Sequence, residues 1–120
     1  MRIPVISIPL LVAFTLPAVL RSQGAMPIMR SVDPTSGKIG DVLVIGGENL
    51  GQQYVAALYL TDGKVDVKVP ILEQTDTSIR FRIPPEAKPG RFGLMVLTRD
   101  QPARLVEEPV KIVVEPPTTG

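Results

Sequence analysis

The chain has 120 residues, 13 lysines and arginines against 12 acids, a net charge of +1, and no cysteine, histidine or tryptophan. Disulfides, thiolate-centred metal sites and any triad or metal centre that needs imidazole are thereby excluded. The length holds one domain, and 13 prolines and 10 glycines among short apolar runs suit many short strands joined by turns.

Residues 1–25, MRIPVISIPLLVAFTLPAVLRSQGA, carry one early cation, Arg2, run without charge from Ile3 to Leu20 and end in small and polar residues. That order predicts a secretory signal peptide cut near Gly24–Ala25. A retained anchor is the alternative, because the apolar run is just long enough to span a bilayer. Pro4, Pro9 and Pro17 make the run a poor helix, and no cysteine follows it to carry a lipid. Cleavage removes Arg2 and Arg21, so 13 cations fall to 11 against 12 anions, a net charge of −1. A surface so close to neutral has no electrostatic pull toward nucleic acid or anionic lipid. The remaining chain, without a disulfide, must rest on its apolar core, and about 95 residues suffice for that in a β-sandwich.

From Pro27 onward the apolar residues recur with a period of two, and no window has the 3.6 period of a helix. PIMRSVDP (27–34) predicts a first short strand closed by Pro34, and DVLVIGG (41–47) a second, dense in β-branched residues. VAALYLTDGKVDVKV (55–69) predicts two strands around Asp62-Gly63, with Val65, Val67 and Val69 on one face. SIRFRIPP (78–85) alternates most clearly: Ile79, Phe81 and Ile83 inward, Ser78, Arg80 and Arg82 outward, until the two prolines end it. GRFGLMVLT (90–98) follows a Pro89-Gly90 turn, and VKIVVE (110–115) is the last predicted strand. Residues 116–120, PPTTG, form a predicted mobile tail. Seven or eight short strands at this spacing predict an all-β chain folded as an antiparallel β-sandwich over residues 26–115.

GKIGDVLVIGGENLG (37–51) invites comparison with a phosphate loop. Such a loop needs G-x-x-x-x-G-K-[ST] between a strand and a helix. Here Ile39 follows Gly37-Lys38, and the next segment is a strand. The glycines are expected to turn corners or admit close approach, with a turn at Pro34–Gly37 and Leu50 folding back over the core.

The same stretch carries a family resemblance. VDPTSGKIGDVLVIGGENL resembles the opening of an IPT/TIG domain, the immunoglobulin-like module shared by plexins and some transcription factors. The Asx-Pro turn falls on Asp33-Pro34, the glycine on Gly40, the alternating strand on Leu43 and Ile45, and the Gly-x-Asn step on Gly47, Asn49 and Leu50. DTSIRFRIPPEAKPGRFGLMV (76–96) continues it, so the resemblance covers about residues 27–115. It implies an immunoglobulin-like sandwich. Eukaryotic members often carry cysteines, so this chain is more similar to the bacterial, cell-surface kind.

Catalysis without His or Cys would need paired carboxylates, and Glu48, Glu73 and Asp76 are the best-placed acids. No spacing fixes their separation, and each reads as a solvated turn residue. Asp62 and Asp66 lack the D-x-[DN]-x-[DN]-G order of a calcium loop. Arg80 and Arg82, with Lys68, could line a basic strip, but a net charge of −1 and an export signal favour a solvated face. No catalytic, cofactor or metal site is therefore expected. Met95 and Leu97 are the candidate contact residues: the family pattern turns Phe92, Leu94 and Val96 inward and leaves these two outside. Val113 is left outside likewise if Val110, Ile112 and Val114 are core, and the three would form an outward apolar patch. Scattered surface hydrophobes are the competing reading. Tyr54 and Tyr59 offer only a thin case for sugar stacking.

The expectation is thus an exported, non-catalytic IPT/TIG-type sandwich, secreted or held in the cell envelope as a protein-interaction or spacer module. Its expected partner is another cell-surface or secreted protein, with no nucleic acid and no membrane once the leader is cut. A carbohydrate-binding module that takes a glycan is the alternative.

Overall fold

The computed structural model describes residues 26–118. The predicted leader, residues 1–25, and the last two residues of the predicted tail lie outside that range. Nine strands and no helix occur among the described residues: β1 (Ile28–Asp33), β2 (Ser36–Gly37), β3 (Val42–Glu48), β4 (Val55–Thr61), β5 (Asp66–Val69), β6 (Ile71–Gln74), β7 (Ser78–Arg82), β8 (Gly90–Thr98) and β9 (Leu105–Val114). They form two sheets, ordered β1-β3-β7-β6 and β2-β9-β8-β4-β5. The second sheet begins with one parallel pair, β2 on β9; the other pairings are antiparallel.

Strand formation follows the period-two pattern. In β7, Ile79 and Phe81 are buried while Arg80 and Arg82 are exposed. In β8, Phe92, Leu94 and Val96 enter the core. The inner faces of both sheets meet there, with Leu43 and Ile45 from β3, Leu58 and Leu60 from β4, and Ile112 and Val114 from β9. Leu50 and Ile83, just beyond strand ends, close the two ends of this layer and are fully buried. Among the described residues, every core residue lies between Met29 and Val114.

Three details depart from the sequence expectation. The segment 34–37 does more than turn: after the cis Asp33–Pro34 bond the chain leaves one sheet, and Ser36–Gly37 joins the other beside Val113–Val114. A short strand, β6, pairs with β7 right after Pro70, although Ile71–Gln74 shows no alternation worth the name. The last strand starts at Leu105, five residues before the expected Val110. Its irregularity explains the oversight: between Gly93 and Met95 the β8–β9 register slips, and Glu108, Pro109 and Val110 bulge out of step.

The glycines of 37–51 serve the backbone. A Cβ on Gly47 would overlap the carbonyl oxygen of Ile28, so β1 can lie against β3 only where that residue is glycine. Gly40 has φ +95°, and its amide donates to the Ile83 carbonyl at 2.8 Å. The Asp41 amide is likewise spent on Lys38. Both amides are committed to backbone carbonyls, which leaves neither free to cradle a phosphate.

Residue 26 and residue 115 sit at opposite ends of the sandwich. The Asn49 side chain donates to the Met26 carbonyl at 3.0 Å, beside the 49–54 loop. The Glu115 amide donates to the Gly37 carbonyl at 2.7 Å, at the other end. The chain therefore enters at one end and leaves at the other, along the length of the strands. Residues 116–118 form no strand and are exposed.

Candidate interaction face

The outer face of the five-stranded sheet is built from rungs, because directly opposed residues of antiparallel strands project to the same side. One rung runs Lys68 (β5), Tyr59 (β4), Met95 (β8), Glu107 (β9). The rung toward the 62–65 turn runs Asp66, Thr61, Gly93, Lys111. On the other side Ala57, Leu97 and Leu105 make an apolar rung. Their neighbours in sequence, Leu58, Leu60, Leu94 and Val96, are completely buried on the inner face, so these rungs face outward.

The face has an apolar centre and charged margins. Tyr59, Met95 and Leu97 are half-buried, and Leu105 is 55% exposed. Lys68, Asp66, Glu107 and Lys111 are exposed at the two sides. Because Gly93 has no side chain, a depression of about 250 Å³ opens between Thr61, Arg91, Glu107 and Lys111. The Glu107 and Lys111 side chains both reach over it.

Met95 and Leu97, singled out from sequence, are adjacent outward residues on β8. Val113 also faces outward and is 43% exposed, but it stands opposite Arg91 and Ser36, beyond the Gly93–Lys111 rung. The fold therefore brings Met95 and Leu97 together with Tyr59 and Leu105, and it leaves Val113 apart. Sequence reasoning passed over Leu105 because it placed the start of the last strand at Val110. It passed over the charged margins because register across four strands is invisible in any one of them.

The acids weighed for catalysis are scattered. Glu48 pairs with Arg30, Glu73 with Arg80 at 2.9 Å, and Asp76 accepts from the Gln53 amide at 3.1 Å. Arg82 donates to the Gly40 carbonyl, and Lys68 lies on the opposite sheet, so Arg80, Arg82 and Lys68 form no strip. Asp62 organises the β4–β5 turn: its carboxylate accepts the amides of Lys64 and Val65 at 2.8 Å each. Those two donors, Val65 first, hold its carboxyl below the ordinary range.

One acid has a different setting. Glu108, on the β9 bulge, points inward and is 4% exposed. Its Oε1 accepts the Met29 amide at 2.9 Å, and its Oε2 has no partner. Burial pushes its carboxyl above the ordinary value, against the opposing effect of the Met29 bond.

The two-sheet β-sandwich is the fold that the sequence resemblance implies. The IPT/TIG domain family model matches residues 27–112. The chain belongs to the IPT/TIG family. No curated protein matches it. Among solved structures, this IPT/TIG chain is similar to a protein of unknown function from Bacteroides thetaiotaomicron, with TM-score 0.63 and 16% identity over 77% of this chain and 22% of that one. It is also similar to an auxiliary nutrient binding protein from Bacteroides ovatus, with TM-score 0.55 and 19% identity over 77% of this chain and 21% of that one. A protein of the same description from B. thetaiotaomicron gives the same figures. At these identities the likeness is one of fold. The IPT/TIG chain spans about a fifth of the length of the structures it matches.

Proposed function

We propose that this IPT/TIG domain is an exported, non-catalytic module of the bacterial cell envelope that makes a protein contact through the outer face of its five-stranded sheet. The observation that carries this reading is the stripe of Tyr59, Met95, Leu97 and Leu105, an apolar centre framed by charges on a face left to solvent. Apolar centre and polar rim is the usual anatomy of a protein contact. Entry and exit at opposite ends suit a spacer as well, since neighbouring parts would be held apart by the length of the strands. The cell-envelope setting draws support from the fold's occurrence within larger Bacteroides nutrient-binding chains. A carbohydrate-binding role is the second reading, favoured by Tyr59, a half-exposed ring on the outer face of the sheet.

Co-sedimentation of residues 26–120 with isolated envelopes, before and after protease stripping, separates the two. Binding that is lost on stripping, and lost again in a Met95→Glu, Leu97→Glu double variant, is the expected result. Binding that survives stripping would replace the protein contact with a glycan.

A further inference from the structure

We infer that the protein that fits this face is a second copy of the same chain, docked about a two-fold axis parallel to the strands and running between β4 and β8. The inference rests on the proposed contact face and names its occupant. A two-fold contact joins one patch to itself, so the patch must be its own complement. A two-fold axis along the strands and between β4 and β8 places β5 of one copy over β9 of the other, and β4 over β8. Each rung then meets itself in reverse order.

The rungs have the composition that this operation demands. Lys68–Tyr59–Met95–Glu107 reversed is Glu107–Met95–Tyr59–Lys68. Lys68 therefore meets Glu107 of the second copy twice, and the Tyr59 ring meets the Met95 thioether twice, a favourable sulfur–aromatic pairing. The next rung, Asp66–Thr61–Gly93–Lys111, is self-complementary in the same way: Asp66 meets Lys111 at both sides, and Thr61 faces Gly93, over which the Glu107 and Lys111 side chains lean. The signs alternate along each margin, plus then minus on β5 and minus then plus on β9. A copy shifted by one such rung would set like charges against each other, so the pattern fixes register as well as partner. Leu97, Leu105 and Ala57 supply the apolar end of the contact. Arg91, next outward residue beyond Gly93 on β8, comes over the turn that Asp62 organises. Face-to-face sheets pack about 10 Å apart with strands within about 30° of each other, which the sheet twist permits about such an axis.

The test is sedimentation equilibrium of purified residues 26–120 with charge reversals. The unaltered protein should dimerise reversibly. Lys68→Glu and Glu107→Lys should each weaken the dimer by at least about tenfold, since each sets two like-charged pairs face to face. The double variant should recover the dimer. An equimolar mixture of the two single variants should form a heterodimer, which also shows that both are folded. A protein that stays monomeric into the millimolar range overturns the inference, as do single reversals without effect or a mixture that does not associate. If the protein is monomeric while Met95→Glu and Leu97→Glu still abolish envelope binding, the second copy is wrong and the contact face stands. If neither dimer nor Met95- and Leu97-dependent binding is seen, both fall.

Discussion

Glu108 accepts the backbone amide of Met29 at 2.9 Å across the seam between the two sheets, and its second carboxylate oxygen is buried with no partner. One side chain thus anchors the entering strand of one sheet to the leaving strand of the other. A neutral amide would do the same job without burying a charge.

Glu108→Gln should therefore raise stability at pH 7. Burial lifts the native carboxyl above its ordinary value of 4.5, so the folded protein holds the proton where the unfolded chain gives it up. Stability from this group is then greatest in acid and falls as pH rises through the native value. The Gln variant should melt several degrees higher at pH 7 and lose its advantage near pH 4. Thermal melts across that range read it directly. A Gln variant less stable at pH 7 would mean that the charge-assisted bond to Met29 outweighs desolvation.

Gly47 and Gly93 predict a contrast. A Cβ at Gly47 runs into the Ile28 backbone, which cannot move without lifting β1 off β3. Gly47→Ala should cost about 1–3 kcal/mol in urea denaturation. At Gly93 the nearest atom is the Glu107 carboxylate oxygen at 3.2 Å, the free end of a flexible side chain. Gly93→Ala should stay within about 0.5 kcal/mol of the original. Equal costs at the two positions would show that the tight approach of β1 is not what Gly47 provides.

Gln74 is a clamp on the 49–54 loop, its amide donating to the carbonyls of Leu50 at 2.8 Å and Val55 at 3.3 Å. Gln74→Ala should cost about 1–2 kcal/mol, because those acceptors sit beside buried residues. Hydrogen exchange should speed up at Leu50 and Val55 before it does in β8. Uniform acceleration across the sandwich would instead assign Gln74 a global role.

Phe81, on β7 between Leu43 and Ile71 in the sheet, is the largest of the completely buried side chains. Phe81→Ala should cost about 3–5 kcal/mol, a large share of the about 5–15 kcal/mol of a small domain. A urea midpoint shifted by less than a tenth would mean that the core collapses into the cavity.

The sequence by itself determined the fold class and the in-or-out sense of most strand residues. Alternation is a local property: Ile79, Phe81, Leu94 and Val96 follow it whatever lies beside them, and so Met95 and Leu97 were legible as outward. The Asp62-Gly63 turn was legible too, because Gly63 takes φ +91° and Asp62 caps the following amides. What only the tertiary structure decided depends on register between strands far apart in the chain. Pairing set Leu105 beside Leu97 and Val113 beside Arg91, and a bulge in β9 turned Glu108 into the core. The same pairing aligned Lys68, Tyr59, Met95 and Glu107 across four strands. No window of the chain contains that row, since each of its members comes from a different strand and only the hydrogen-bond ladder sets them in line.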